Sequence, residues 1–175
     1  MTEICEVDTN AAVELATLCI ESFAEAYRGV HSDASIKTYC DEHYAVEKVR
    51  AQLADPAIAY RVAYRDDRAV GFLMTREGAC PIALLGGSLE LKQIYVRASE
   101  FGAGLGPRLL TESLRQASVL GKKWLWLSVS DLNARAQAFY EKHNFEAVGT
   151  GPLFQVGEDQ LSSTLMAREV VTAIS

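Results

Sequence analysis

The feature that most constrains this chain is a strand that runs into a glycine-rich turn and then directly into a helix. Leu89 to Val96 has the branched and aromatic content of a buried strand, and Phe101-Gly102-Ala103-Gly104-Leu105-Gly106 follows it. The next stretch, to about Leu120, places Leu110, Leu114 and Ala117 on one side and is closed by Gly121, which predicts an amphipathic helix. A helix that springs from the end of a strand has to bury its apolar side on the sheet it left, so this segment demands a layered α/β architecture. It also aims backbone N–H groups and a positive helix end into the turn, which suits a phosphate or pyrophosphate. Two familiar phosphate patterns fail on spacing: a dinucleotide fingerprint needs glycine or alanine where Pro107 stands, and no G-x-x-x-x-G-K-[ST] run occurs. The other reading of the three glycines is that they serve only a tight strand-to-helix turn.

On both sides of this segment the elements alternate in a mixed order. A short strand around Ile4 to Val7 precedes a helix capped by Asn10 that runs to about Arg28, with Leu15, Cys19, Phe23 and Ala26 as its apolar face and Gly29 ending it. Further helices are expected from Ser32-Asp33 and over Ala45 to Leu53, the latter stopped by Asp55-Pro56. Ile58 to Tyr64 and Ala69 to Thr75 read as a hairpin turning at Asp66-Asp67, and Gly78 to Ser88 as a loop. After the glycine turn and its helix come a strand from Trp124 to Val129 and a helix capped by Asp131 or Asn133 and ending near His143. Two last strands, Phe145 to Val156 and Gln160 to Arg168, turn at Gly157-Glu158-Asp159. This order joins an antiparallel first half to a strand–turn–helix–strand crossover and predicts a mixed, mainly antiparallel central sheet flanked by helices. One domain over residues 1–175 is expected.

Composition narrows the function classes. Of the net charge of −6, residues 1–60 carry −7, with 11 acidic and 4 basic side chains, and residues 61–175 carry +1, with 12 and 13. An acidic chain without a basic, aromatic-studded stripe repels phosphate backbones, so nucleic acid is not an expected partner, whereas a small cationic molecule fits the acidic third. Alternatively Glu14, Glu21 and Glu25 are only the solvated stripe of an amphipathic helix. The four cysteines (Cys5, Cys19, Cys40 and Cys80) and three histidines (His31, His43 and His143) lack metal-site spacing, so no metal is proposed and the thiols are read as reduced. No run approaches the roughly 18 apolar residues of a membrane span, and the acidic start lacks the pattern of a signal peptide, which predicts a cytoplasmic protein.

Two segments in the right order bring in a family. Phe101 to Gly106, preceded by Leu91-Lys92-Gln93-Ile94-Tyr95-Val96, resembles the [QR]-x-x-G-x-[GA] signature of the GNAT superfamily of acyl-CoA N-acyltransferases. Trp126 to Val129, Asn133 and Phe139-Tyr140-Glu141-Lys142-His143-Asn144-Phe145 resemble its second signature. Phe154 to Gln160 with Leu165-Met166, and Glu21 to Tyr39, are similar to the PaiA-like branch, which includes polyamine-acetylating enzymes. Phe101 departs from the usual Gln or Arg, Pro107 removes one N–H from the first helical turn, and Asn144 stands where glycine is usual, implying a left-handed helix end.

The resemblance implies acetyl-CoA as cosubstrate. Ile94, Tyr95 and Val96 would face the pantetheine arm, Phe101 and Gly102 would open the phosphate turn, and amides from Ala103 through Gly104 and Leu105 to Gly106 would hold the pyrophosphate. Asn133 and Lys142 would add cofactor contacts. Tyr140 would be the general acid and Glu90 the general base, acting directly or through water. Asn133 and Tyr140 are seven residues apart, so both project from one helix face, although Asn133 also suits an N-cap. A phenol is protonated at neutral pH and can donate to a leaving thiolate, while strand N–H groups steady the developing oxyanion. The expected reaction is acetyl transfer to a primary amine of a small molecule, of the polyamine type. A protein or peptide acceptor, or a non-catalytic acetyl-CoA-binding module, are the other readings, and both a monomer and a homodimer stay open.

Overall fold

A computed structural model of the chain describes residues 1–171. Its strands are β1 (Thr2–Glu6), β2 (Ile58–Arg65), β3 (Arg68–Glu77), β4 (Ser88–Val96), β5 (Trp124–Ser130), β6 (Glu146–Thr150), β7 (Phe154–Val156), β8 (Asp159–Leu161) and β9 (Ser163–Glu169). The helices are α1 (Ala12–Tyr27), α2 (Asp33–His43), α3 (Val46–Ala54), α4 (Leu105–Val119) and α5 (Ala134–Lys142). Seven strands form one sheet in the order β1-β2-β3-β4-β5-β9-β6; β4 and β5 pair in parallel and the other neighbours antiparallel. The crossover through α4 produces that parallel pair, since adjacent parallel strands need a helix-length return.

Strand alternation sends side chains to both faces of the sheet, where the two larger of three cores form. On one face Tyr60, Val62, Phe72 and Met74 pack against Leu15, Cys19 and Phe23 of α1 and against α2 and α3. On the other face Ala63, Val70, Leu73, Leu89 and Leu91 pack against Leu105, Leu109 and Leu110 of α4 and Tyr140 of α5. The hairpin turn is as expected: Asp66 and Asp67 both adopt positive φ, 50° and 60°, the conformation of a two-residue turn that matches strand twist. Asn144 likewise takes φ 64° at the end of α5.

Four expectations need correction. Asp8, not Asn10, is the first cap: its carboxylate accepts from the Asn10 N–H at 2.9 Å and starts a single 3₁₀ turn that delays α1 to Ala12. Ala26 is exposed, since the buried positions of α1 end at Phe23. The strand expected over residues 145–156 is broken by Gly151-Pro152, leaving β6 at the sheet edge and sending β7 and β8 off as a separate hairpin that packs Phe154, Val156 and Leu161 on the α1–α2 core. The acidic stripe of α1 is docked rather than merely solvated. Glu14 accepts from the Tyr64 hydroxyl at 2.8 Å, Glu21 pairs with Arg97 at 2.6 Å, and Glu25 accepts from the Tyr95 hydroxyl and, at 3.2 Å, from the Ala98 N–H.

Candidate active site

The site begins where the sheet comes apart. Parallel pairing of β4 with β5 lasts for Ser88↔Trp124, Leu89↔Leu125 and Glu90↔Trp126. Beyond Glu90, β4 stays with β3 and β5 stays with β9, so the two strands diverge and a cleft opens between them. A bulge starts that divergence: Thr75 pairs with Leu91 and Met74 with Gln93, leaving Lys92 as the extra residue. Past the bulge the Arg97 N–H donates to the Val70 carbonyl at 2.9 Å. Antiparallel alternation therefore commits Tyr95 and Gln93 to β3 and turns the peptide groups of Ile94 and Val96 toward the cleft.

The glycine turn closes one end of this cleft, and its glycines do different jobs. Gly102 and Gly104 take φ of 82° and 76°, left-handed values that a side chain resists, with open space around them. Gly106 is ordinary helix, and an added Cβ there would meet the Phe139 ring at 3.5 Å, so it sets how closely α4 approaches α5. The N–H groups of Gly102, Gly104, Leu105 and Gly106 have no backbone partner among the described residues, and the first bond of α4 runs from Arg108 to Gly104 at 3.4 Å. Ala103 is different: its N–H donates to the Glu100 carbonyl at 3.1 Å, which removes it from the set of free donors. Pro107 sits in the first turn of α4, where the missing N–H breaks no helical bond.

Cleft and turn form one cavity of about 730 Å³. Of the residues singled out in the sequence, it is lined by Ile94, Tyr95, Val96, Phe101, Gly102, Gly104, Leu105, Gly106, Asn133, Tyr140 and Lys142, but not by Ala103 or Glu90. Tyr140 is 7% exposed and packs edge-on against Phe139 and Phe145, at 5.3 and 5.5 Å between ring centres. Burial alone pushes its phenol above the ordinary value, so the group stays protonated. The Asn133 side chain accepts from the Ala136 N–H at 3.0 Å and caps α5, a role that leaves its amide nitrogen free to face the cavity it lines.

Glu90 stands at the apex of the cleft, in the last pair before the strands part, and is 3% exposed. Its Oε2 is held by Arg76, at 2.9 Å from Nε and 2.7 Å from the terminal nitrogen, while Oε1 lies 3.8 Å from Lys92. On the α2 face of the same strand, Gln93 Nε2 donates to the Tyr44 hydroxyl at 2.7 Å, and Gln93 Oε1 is buried without a partner among the described residues. Sequence reasoning missed the remaining walls. Glu25, Ala26 and Tyr27 come from the end of α1 and Val30 from the turn after it, Leu132 and His143 flank α5, and the Arg135 guanidinium lies 3.9 Å above the Phe101 ring. A basic residue in the first turn of a helix, two positions after the capping asparagine, was the visible signal for Arg135.

Comparison with known proteins agrees with this geometry. Residues 19–145 match the sequence profile of the acetyltransferase (GNAT) family. An uncharacterized N-acetyltransferase of Mycobacterium tuberculosis is 29% identical over 160 residues, covering 91% of this chain and 98% of that protein. An IAA acetyltransferase of Azospirillum brasilense is 34% identical over 110 residues, 63% of this chain and 67% of that protein. Among solved structures, the PaiA N-acetyltransferase of Thermoplasma acidophilum, crystallised with coenzyme A, superposes with a TM-score of 0.81 at 21% identity, covering 97% of this chain and 99% of that one.

Proposed function

The chain belongs to the acetyltransferase (GNAT) family and is an N-acetyltransferase that uses acetyl-CoA; from that premise we propose that it acetylates a primary amine of a small, cationic, polyamine-type molecule by direct attack, with Tyr140 as general acid. The observation that carries the mechanism is the position of Tyr140. A buried, protonated phenol opens on the same cavity as the turned-out peptide groups of β4 and the free amides of the glycine turn.

The residues present fit acetyl-CoA, which supplies an activated acetyl group as its thioester. Ile94 and Val96 would hold the extended arm through backbone bonds, as a strand does. Gly102, Gly104, Leu105 and Gly106 would hold the pyrophosphate with their N–H groups and the dipole of α4, and Asn133 and Lys142 would flank it. At the apex, the amine nitrogen forms the C–N bond as the C–S bond breaks. The proton it sheds goes through water to Glu90 Oε1, the oxygen that Arg76 leaves free. Tyr140 gives its proton to the departing sulfur and regains one from solvent.

The acceptor class rests on two supports. The acidic first third leaves Glu25 on the cavity wall, and the PaiA-like resemblance of the C-terminal hairpin points the same way. The test is CoA-thiol release from acetyl-CoA over polyamines, amino acids, aminoglycosides and short peptides, with enzyme-only blanks because the protein has four thiols. Turnover of spermidine is expected. Robust turnover of neutral amino acids or peptides with none of spermidine overturns the acceptor class, and CoA binding with no turnover of any acceptor overturns catalysis.

A further inference from the structure

We infer that Arg135, whose guanidinium sits over the Phe101 ring, is a phosphate-gripping residue for acyl-CoA and supplies the polar contact that position 101 lacks in this chain. Three observations converge on it. Phe101 is 49% exposed at the start of the glycine turn, an unfavourable place for an aromatic ring unless something uses its face. The Arg135 guanidinium carbon lies over that face, 3.9 Å from the ring centre, a cation–π contact that restrains the side chain while the ring, which has no acceptor oxygen, leaves the N–H groups for another partner.

The second observation is electrostatic. Arg135 is the second residue of α5, where the positive end of the helix dipole opposes a cation, and it pairs with no carboxylate among the described residues. An exposed cation kept against the local field and set over a ring rather than ion-paired is poised for an anion from outside. Third, Phe101 and Arg135 both line the cavity that holds the free N–H groups of Gly102, Gly104, Leu105 and Gly106. Backbone donors then take some oxygens of a phosphate and the planar fork takes others, in the two-pronged geometry arginine favours. CoA offers two such groups, its diphosphate and its 3′-phosphate.

The proposal rests on acetyl-CoA as cosubstrate, and direct binding separates the two. Calorimetric titration of the wild-type chain with CoA comes first: no binding there would undo the cosubstrate, whatever Arg135 does. Arg135→Gln is expected to weaken CoA binding about ten-fold or more, as loss of a charge-assisted contact does, and to raise the KM for acetyl-CoA with little change in kcat. Its melting temperature is expected to hold or rise slightly, because a cation leaves the wrong end of a helix; a merely structural arginine would lower it. Arg135→Lys should recover only part of the affinity, and Phe101→Leu should weaken binding less than Arg135→Gln and add little to it in the double variant. An equal penalty with 3′-dephospho-CoA assigns the contact to the diphosphate, and a penalty that vanishes with that ligand assigns it to the 3′-phosphate. Unchanged affinity for both ligands in Arg135→Gln overturns the proposal.

Discussion

The two faces of the sheet solve different problems with different materials. On the α4–α5 face, the site is built chiefly from backbone: turned-out peptide groups on β4, free amides in the glycine turn, and two helix N-termini. On the α1–α2 face it is built from side chains brought together across long stretches of chain. Tyr44 meets Gln93, Glu25 meets Tyr95, and the buried His31 donates from Nδ1 to the Asp159 carboxylate at 2.8 Å, 128 residues away, pinning the β7–β8 hairpin. Backbone geometry is specified by local features such as glycine spacing, so it can serve one fixed ligand in many chains. Side-chain walls are specified by distant residues and can change with the acceptor.

The sharpest way to break this division is Tyr140→Phe, because Tyr140 is the side chain on the cofactor face to which chemistry is assigned. We expect kcat to fall about a hundred-fold, within the range for a lost general acid, with CoA affinity unchanged. Burial has raised its ionisation above the ordinary phenol value of about 10. The acid form therefore persists through that pH, and any alkaline loss of kcat due to Tyr140 has to appear above it. Equal kcat in the variant would remove the assigned role.

Next in size are two glycines, one for each face. A Cβ at Gly71 would stand 2.6 Å from the Tyr95 carbonyl, so Gly71→Ala pushes directly on β4 at the cleft. A Cβ at Gly157 would stand 2.2 Å from Ser35 Oγ and 2.9 Å from Ser35 Cα, at φ 61°, so Gly157→Ala lifts the hairpin off α2. Each is expected to cost about 1–3 kcal/mol in denaturant unfolding, the range for overpacking. They should differ in what else they move. Gly71→Ala raises the KM for acetyl-CoA, whereas Gly157→Ala raises the KM for the amine. The same shift in both variants would show that the faces are not independent.

A subtler contrast is in tyrosine. Burial raises the ionisation of Tyr27, Tyr39, Tyr44, Tyr60 and, helped by the Glu14 carboxylate, Tyr64, all on the α1–α2 face; on the other face, among the described residues, only Tyr140 is in that condition. A folded-state value above the unfolded one means stability is fully present below about pH 10 and is lost as pH rises from there toward the folded values. Amide exchange above pH 10 should therefore quicken in α1 and α2 before α4. Simultaneous loss in all three would refute the contrast.

What could be read in the sequence follows the same line. Glycines at 102, 104 and 121, the Asp66-Asp67 pair and Asn144 announce backbone conformations through their own chemistry, and the turns they predict are where the structure has them. Gly151-Pro152 carried an equally local signal that outweighs the β-rich residues around it, and it splits the strand expected there. The spent amide of Ala103, the contact of Arg135 with Phe101 and the docking of the α1 stripe depend on partners that only the fold brings near. Spacing along α1 shows Glu14, Glu21 and Glu25 on one side, but cannot say whether that side meets water or strand β4.

Glu25 joins the two faces, and the smallest expected effect tests it. Its carboxylate lines the cavity, accepts from the Tyr95 hydroxyl, and accepts from the Ala98 N–H at 3.2 Å just before the glycine turn. Glu25→Gln keeps one oxygen for the Ala98 N–H and turns an amide NH2 toward the Tyr95 hydroxyl, which can accept from it, so the charge goes and that one bond reverses. If Glu25 serves the backbone of β4, nothing changes. If it also attracts a cationic acceptor, the KM for spermidine rises about two- to five-fold, the scale of one partly screened charge, while the KM for acetyl-CoA stays put. That rise should shrink as salt is added, since screening weakens a charge and spares a hydrogen bond. A shift in the acetyl-CoA KM alone would place Glu25 wholly on the cofactor side and leave the acidic first third without a role in choosing the acceptor.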